Sequence, residues 1–279
     1  MEVSWWCSAR PISWSWDPQF FPGIWVVMLC IIGSYFFVYV KSSKRSSSSD
    51  QRIATNKEKL SFVAGWVLLW VMTDWPIGVL GSGYLLSAHM LQYVIYSLVI
   101  APLLVGGITN SMVSGYKDQW FFITIRSLIS RPFVCFVAFN IVLAITHIPY
   151  FTDILKPLQL GQMLIDILWI SVAILFWAAI GTFDDQSDVS LARAQKLLYI
   201  IGITLLPTIP GAFFVFSDFP IYTTYEFATR VFNGISARED QMYAGLIMWM
   251  GMTPILLIRL AMAFFSWSEA ESRRAGTID

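Results

Sequence analysis

The sequence predicts an all-α membrane protein, a bundle of seven transmembrane helices with its N-terminus outside the cytoplasm and its C-terminus inside. Three observations carry this expectation. First, 57% of the 279 residues are apolar and 13% charged, against about 25% charged in soluble domains, and mean hydropathy is +0.64. Too little polar surface remains to coat a water-soluble globule, so the lipid bilayer must be the solvent. Second, seven apolar segments reach or approach the length of about 20 residues that a bilayer core requires. Third, Lys and Arg gather in alternate loops, as the positive-inside rule requires.

The first span is expected over Phe20 to Val40. Residues 1–20 hold one basic residue, Arg10, and so lack the basic stretch that opens a cleaved signal peptide. Positive charge follows the span instead, at Lys41, Lys44, Arg45, Arg52, Lys57 and Lys59. The serine run Ser46 to Ser49 marks residues 41–59 as a flexible cytoplasmic linker. The second span is expected over Leu60 to Leu80 and the third over Leu85 to Val105. Residues 74–84 between them carry no Lys or Arg. Lys117, Arg126 and Arg131 return the chain to the cytoplasmic side. The fourth span, Pro132 to His147, is short, and Trp120 to Ile129 ahead of it would either lengthen it or lie along the interface. Residues 148–157 contain Lys156 as their one basic residue. The fifth span is expected over Leu158 to Ile180 and the sixth over Leu191 to Phe216, the latter kinked or broken near Pro207 and Pro210. Arg193 and Lys196 precede the sixth span. Residues 217–240 carry Arg230 and Arg238, a mild exception to the charge rule. The seventh span, Gln241 to Phe265, leads to Arg273 and Arg274. With no internal repeat, one transmembrane domain over residues 1–279 is the simplest organisation.

Formal net charge is zero, so nothing suggests a nucleic-acid partner. The three cysteines, Cys7, Cys30 and Cys135, form no CxxC and no short-range pair, which argues against a thiolate metal site or a disulfide framework. Most of the tryptophans lie near span ends, as in an interfacial aromatic belt.

Orientation gives each polar residue a depth. His89 opens the third span, His147 closes the fourth, Asp74 ends the second, Met163 and Asp166 enter the fifth, and Met242, Met248 and Met252 run inward along the seventh. Imidazole, carboxylate and thioether groups thus collect in the outer third. Each has a plain reading beside the functional one. An interfacial histidine is more often a hydrogen-bonded surface residue than a ligand. Met28, Met72 and Met262 read as packing, and Asp74 beside Trp75 and Pro76 reads as a helix end. Asp166 resists this, because an ionised carboxylate about two turns into an apolar span costs about 2.5–3.5 kcal/mol. It must be paired, neutral, metal-bound or beside a wet cavity. Gln162 lies one turn before it on the same face. His89 and Tyr93 share a face of the third span, and Gly245 permits close helix approach in the seventh. Imidazole with thioether and without thiolate suits copper, since thioethers favour Cu(I). Zinc fits less well. The candidate metal ligands are His89, His147, Asp166, Met163, Met248 and Met242.

Several motifs also carry a resemblance. Trp16-Asp17-Pro18, Ser87-Ala88-His89-Met90-Leu91-Gln92, Ala101-Pro102-Leu103-Leu104, His147-Ile148-Pro149, Leu175-Phe176-Trp177, Asp240-Gln241 and Ala244-Gly245-Leu246-Ile247-Met248-Trp249 resemble the CtaG-type cytochrome c oxidase assembly family. This is the seven-span bacterial family associated with caa-type oxidase. The resemblance implies a non-enzymatic, multi-pass protein of the bacterial cell (inner) membrane. Its implied partners are haem-copper oxidase subunits and copper ions, with a role in copper supply. His89 matches the first histidine of the family's HMxQH motif and His147 the histidine before the fourth-span proline. Asp240, Gln241, Met248 and Trp249 match the seventh-span motif. Tyr93 stands where the family has the second histidine of HMxQH, and Asp166 where it usually has a fifth-span histidine. Other readings stay open beside it: a haem or redox protein using His89 and His147, a transporter using Asp166, Asp74 and a break at Pro207 and Pro210 as a solute path, and a metal-free scaffold.

Overall fold

A computed structural model describes residues 4–46, 54–180 and 193–275. The described residues are helical with irregular connections and contain no strand. In chain order the helices are α1 (Pro22–Ser46), α2 (Asn56–Thr73), α3 (Ile77–Gly83), α4 (Leu86–Ile95), α5 (Ala101–Gly106), α6 (Asn110–Ser114), α7 (Trp120–Ile129), α8 (Pro132–Thr146), α9 (Pro149–Leu155), α10 (Gln159–Ala179), α11 (Arg193–Phe216), α12 (Thr223–Glu226), α13 (Ala237–Leu246) and α14 (Met252–Ala275). Among the described residues, five helical stretches are long and apolar enough to cross a membrane, or up to seven if each of two bent pairs counts as one span.

The two bent pairs correct the expected spans. The second is interrupted, because α2 and α3 meet at 49° around Asp74 to Pro76. Pro76 has no N–H for a helical bond and disfavours helical backbone at Trp75, while Asp74 takes up the freed groups. Its carboxylate accepts from the Trp75 backbone N–H at 2.8 Å and the Trp70 indole at 3.0 Å. That is the helix-end reading of Asp74. In the second pair α7 meets α8 at 90°, so Trp120 to Ile129 does not lengthen the fourth span. Across Pro207 and Pro210, by contrast, α11 runs as one helix, so of the expected kink or break the break is not there. The linker also shrinks. Residues 41–46 continue α1 and residues 56–59 begin α2, while 47–53 lie outside the described residues. Thr55 starts α2 with a capping box, its side chain accepting from the Glu58 N–H while the Glu58 carboxylate accepts from the Thr55 N–H at 2.6 Å. Two orphan donors of the first turn are thereby satisfied.

The third span, α4 through α5, is the centre of the bundle and is mostly buried within protein. A π-helical turn, Tyr96–Ile100, joins its halves, and a second, Ile247–Gly251, joins α13 to α14. The first span is peripheral, with Phe36, Phe37, Val26 and Leu29 exposed, as suits a lipid-facing helix. Met28 and Met72 are buried in the core, whereas Met262 is exposed and stands outside it. Gly245 acts as expected: a Cβ there would come within 2.6 Å of the Gly211 carbonyl oxygen on α11.

Tryptophan use departs from a simple belt. Trp6, Trp169 and Trp177 are buried, and each indole N–H finds an acceptor inside the protein: Asp166, Thr146 Oγ1 and the Ser97 carbonyl. A buried indole is retained where its N–H can be satisfied.

Candidate functional site

The site is built at the end of the bundle where α4 begins, α8 ends and α10 begins. Helix α4 has no cap from its own N-terminal residue. Asp240 of α13 supplies one across the bundle. Its carboxylate accepts from the Leu86 N–H at 2.6 Å, the Ser87 N–H at 3.3 Å and the Ser87 hydroxyl. The negative charge also sits at the positive end of the helix dipole. Gln241 beside it binds the loop before α12, its Oε1 accepting from the Ile221 N–H at 2.6 Å and its Nε2 donating to the Phe219 carbonyl at 3.1 Å. Asp240 therefore sets where α4 starts, and Gln241 staples the loop before α12 to α13.

From that start, His89, Gln92, Tyr93, Tyr96 and Ser97 fall on one buried stripe at helical spacing, each at most 1% exposed. Beside His89 lies the residue that the sequence most misrepresents. Lys156 is a loop residue by position, yet it is 0% exposed. Its Nζ donates to the Gly81 carbonyl at 2.9 Å, to His89 Nδ1 at 3.0 Å and to Gln162 Oε1 at 3.2 Å, and it lies 5.3 Å from the Tyr225 ring centroid. Gly81 is shared, since the Tyr225 hydroxyl also donates to its carbonyl. As an ammonium, with three donors and no acceptor, Lys156 has each N–H matched, and His89 Nδ1 is then the accepting nitrogen. Burial pulls the Lys156 pKa well below the usual lysine range, and the Asp166 carboxylate opposes that shift.

The network continues along α10. Gln162 Nε2 donates to Asp166 Oδ1 at 3.0 Å, and the Trp6 indole donates to Asp166 Oδ2 at 3.0 Å. Asp166 is thus paired, with Lys156 one hydrogen-bonded residue away as countercharge. Trp6 belongs to an irregular N-terminal segment bound over this end of the bundle. The backbone N–H groups of Trp5 and Trp6 donate to Gln159 Oε1, Ala9 N–H donates to the Lys156 carbonyl, and Cys7 Sγ lies 3.5 Å from the Thr73 carbonyl. Burial pushes the Cys7 thiol pKa well up, with Asp166 and Asp74 adding to the shift and Arg10 opposing it.

His147 follows the last turn of α8. Its Nδ1 lies 2.8 Å from the Leu143 carbonyl oxygen. A carbonyl can only accept, so Nδ1 carries the proton and Nε2 presents a lone pair. That Nε2 is buried and has no hydrogen-bond partner. Histidines that ligate metals commonly donate their other ring N–H in this way, so His147 fits a ligand role. The two imidazoles are thereby held in opposite tautomers. Trp169 stacks with both, at centroid distances of 4.7 Å to His89 and 5.9 Å to His147, and Tyr93 packs edge-on to His147 at 5.4 Å and to Trp169 at 5.1 Å. Tyr93 Oη, Gln92 Oε1 and Ser97 Oγ are also buried without a partner.

His89, His147 and Asp166 are therefore brought into one connected cluster of hydrogen bonds and ring contacts. Met248 is fully buried in the π-helical turn after α13. Met163 and Met242 are half-buried and take no part in the hydrogen-bond network. Among the described residues no three His, Cys, Asp or Glu side chains are grouped to hold a metal ion, so any metal held here would also need thioether, carbonyl or external ligands. Sequence reasoning missed Trp6 and Lys156 as members of the cluster. A lysine alone in a loop otherwise free of Lys and Arg was the one available signal for Lys156; Trp6 offered none.

A family model described as cytochrome c oxidase caa3 assembly factor (Caa3_CtaG) matches residues 33–270. No curated protein and no solved structure matches the chain. The matched region includes α4, α8, α10 and α13, with His89, His147, Lys156, Asp166 and Asp240, and leaves out the N-terminal segment that carries Trp6. The chain is a multi-pass, non-catalytic membrane protein, and it belongs to the Caa3_CtaG family of cytochrome c oxidase caa3 assembly factors.

Proposed function

We propose that this protein assists copper delivery to a haem-copper oxidase from the outer face of a bacterial inner membrane, with its N-terminus outside and its C-terminus in the cytoplasm. The observation that carries the copper reading is His147. Its Nδ1–H is anchored on the Leu143 carbonyl and its buried Nε2 lone pair is free, an arrangement that prepares an imidazole for a soft or borderline metal ion. Buried Met248 and half-buried Met242 and Met163 are the thioethers this reading calls on, the ligand type that favours Cu(I). A donor set poor in charged ligands holds Cu(I) loosely, so ligand exchange can pass it to an oxidase subunit. The haem alternative has less support, because both imidazoles are already in stacking contact with the Trp169 indole. The scaffold alternative draws on Asp166, whose two oxygens are both engaged by Trp6 and Gln162.

The test is copper analysis of the purified protein beside His147→Ala, with oxidase activity measured in cells lacking the gene and complemented by each form. Copper bound by the wild type and lost in His147→Ala, with oxidase activity falling in parallel under limiting copper, is the expected result. A wild type that binds no Cu(I), yet restores full oxidase activity, would establish the scaffold reading instead.

A further inference from the structure

The cage around Lys156 has the attributes of a cation site. Three acceptors from three parts of the chain converge on one point: the Gly81 carbonyl of α3 at 2.9 Å, His89 Nδ1 of α4 at 3.0 Å and Gln162 Oε1 of α10 at 3.2 Å. The Tyr225 ring faces the same point, and an aromatic face attracts a cation. Asp166 stands behind Gln162 and supplies a negative charge to this buried volume. The two carbonyl-type oxygens can only accept, and with His89 Nδ1 unprotonated all three groups turn lone pairs to the centre, a set that suits a positive occupant. An unpaired charge at such depth would be prohibitive, and here acceptors and countercharge are both in place.

We propose that this cage is a metal-type cation site whose built-in occupant is the Lys156 ammonium, and that a divalent transition ion of borderline softness, such as Zn(II), can enter it only in place of that ammonium. One imidazole nitrogen with two carbonyl-type oxygens suits that class better than it suits Cu(I). Lys156 thus ties α3, α4 and α10 together with a charge that needs no metal supply. It also withholds His89 from metal ions, so that metal binding in the intact chain is left to His147. The proposal does not depend on the copper reading, which rests on His147.

The chain has two histidines, so selective ¹⁵N-histidine labelling of the full-length protein in detergent micelles resolves both rings by NMR. Zn(II) is a diamagnetic probe and leaves the signals readable. In the wild type, one to two equivalents of Zn(II) should leave His89 Nδ1 at its hydrogen-bonded position. In Lys156→Met the same addition should shift His89 Nδ1 to a coordinated position. Zinc affinity should rise about 10-fold or more, the size of effect that a group next to a metal ligand exerts. The gain should vanish in the Lys156→Met, His89→Ala double variant and be absent in Lys156→Arg, which keeps the positive charge. Coordination of His89 Nδ1 by zinc in the wild type would overturn the proposal without any substitution. So would a folded Lys156→Met, or Lys156→Gln where the methionine variant fails to fold, that binds zinc no better than wild type. Copper binding at His147 is read separately, by the response of His147 Nε2 to Cu(I), so failure of one reading is distinguishable from failure of the other.

Discussion

The Trp6 indole donates to Asp166 Oδ2 across 160 residues of sequence at 3.0 Å, joining the N-terminal segment to a carboxylate inside the fifth span. This bond supplies one of two partners that let Asp166 stay buried. Trp6→Phe keeps an aromatic ring, smaller than indole, and removes the donor, so it should cost at least about 1–3 kcal/mol, the penalty for leaving a buried polar group short of a partner, with the lost ring volume adding to it. Thermal unfolding in detergent measures it. A loss as small as that of a surface substitution would show that Asp166 does not need the segment.

The same segment buries Cys7, whose thiol pKa is raised by burial and by the nearby carboxylates. The thiolate is the reactive form and its fraction falls as the pKa rises, so Cys7 should resist maleimide at pH 8 in the native protein. Trp6→Phe should speed its alkylation by loosening the segment. Mass-spectrometric kinetics in a Cys30→Ser background reports on this, and equally fast labelling of Cys7 before and after unfolding would refute it.

Asp240 caps α4 from another helix, so removing its carboxylate leaves the Leu86 and Ser87 N–H groups without their acceptor. Asp240→Ala should lower stability by about 1–3 kcal/mol and loosen the His89 end of the helix. Asp240→Asn keeps one acceptor oxygen and should fall between. Hydrogen exchange at Leu86 and Ser87 would rise in proportion, and unchanged protection there would remove the cap from the account.

Gly245 meets the Gly211 carbonyl so closely that a Cβ would lie 2.6 Å from its oxygen, 2.7 Å from Val215 and 2.9 Å from Phe214. Gly245→Val should separate α11 from α13 and leave little folded protein in size-exclusion chromatography. Gly33→Ala is the matched control, because nothing lies within 4 Å of a Cβ there; it should be neutral or slightly favourable in a helix. Equal yields of the two variants would contradict the packing argument.

Topology is open to a direct check. A reporter fused after Arg274 should read cytoplasmic and one inserted near Pro149 external, as the distribution of Lys and Arg requires. Lys156 does not disturb that distribution, because it is buried within the protein and not available to a lipid headgroup. The reverse pattern would place the His147 cluster on the cytoplasmic side and overturn the proposed direction of delivery.

The sequence by itself determined that the chain is a membrane-embedded helical bundle, because lipid leaves no other way to satisfy the backbone of long apolar segments. It also placed His89, His147 and Asp166 at one end of that bundle, since chain reversals alternate and depth follows from position along a span. Gly245 was legible as a close-approach residue for the same kind of local reason. Tertiary structure alone decided the partners. Asp240 caps α4 from 153–154 residues away and Lys156 reaches His89 from 67, and no periodicity encodes pairings between helices. Lys156 counted as a loop charge because hydropathy registers residue type and not where a long side chain ends. The break at Asp74 to Pro76 and the 90° turn between α7 and α8 were hidden for a related reason. An apolar run states how much surface must leave water, and only packing against neighbouring helices decides its direction.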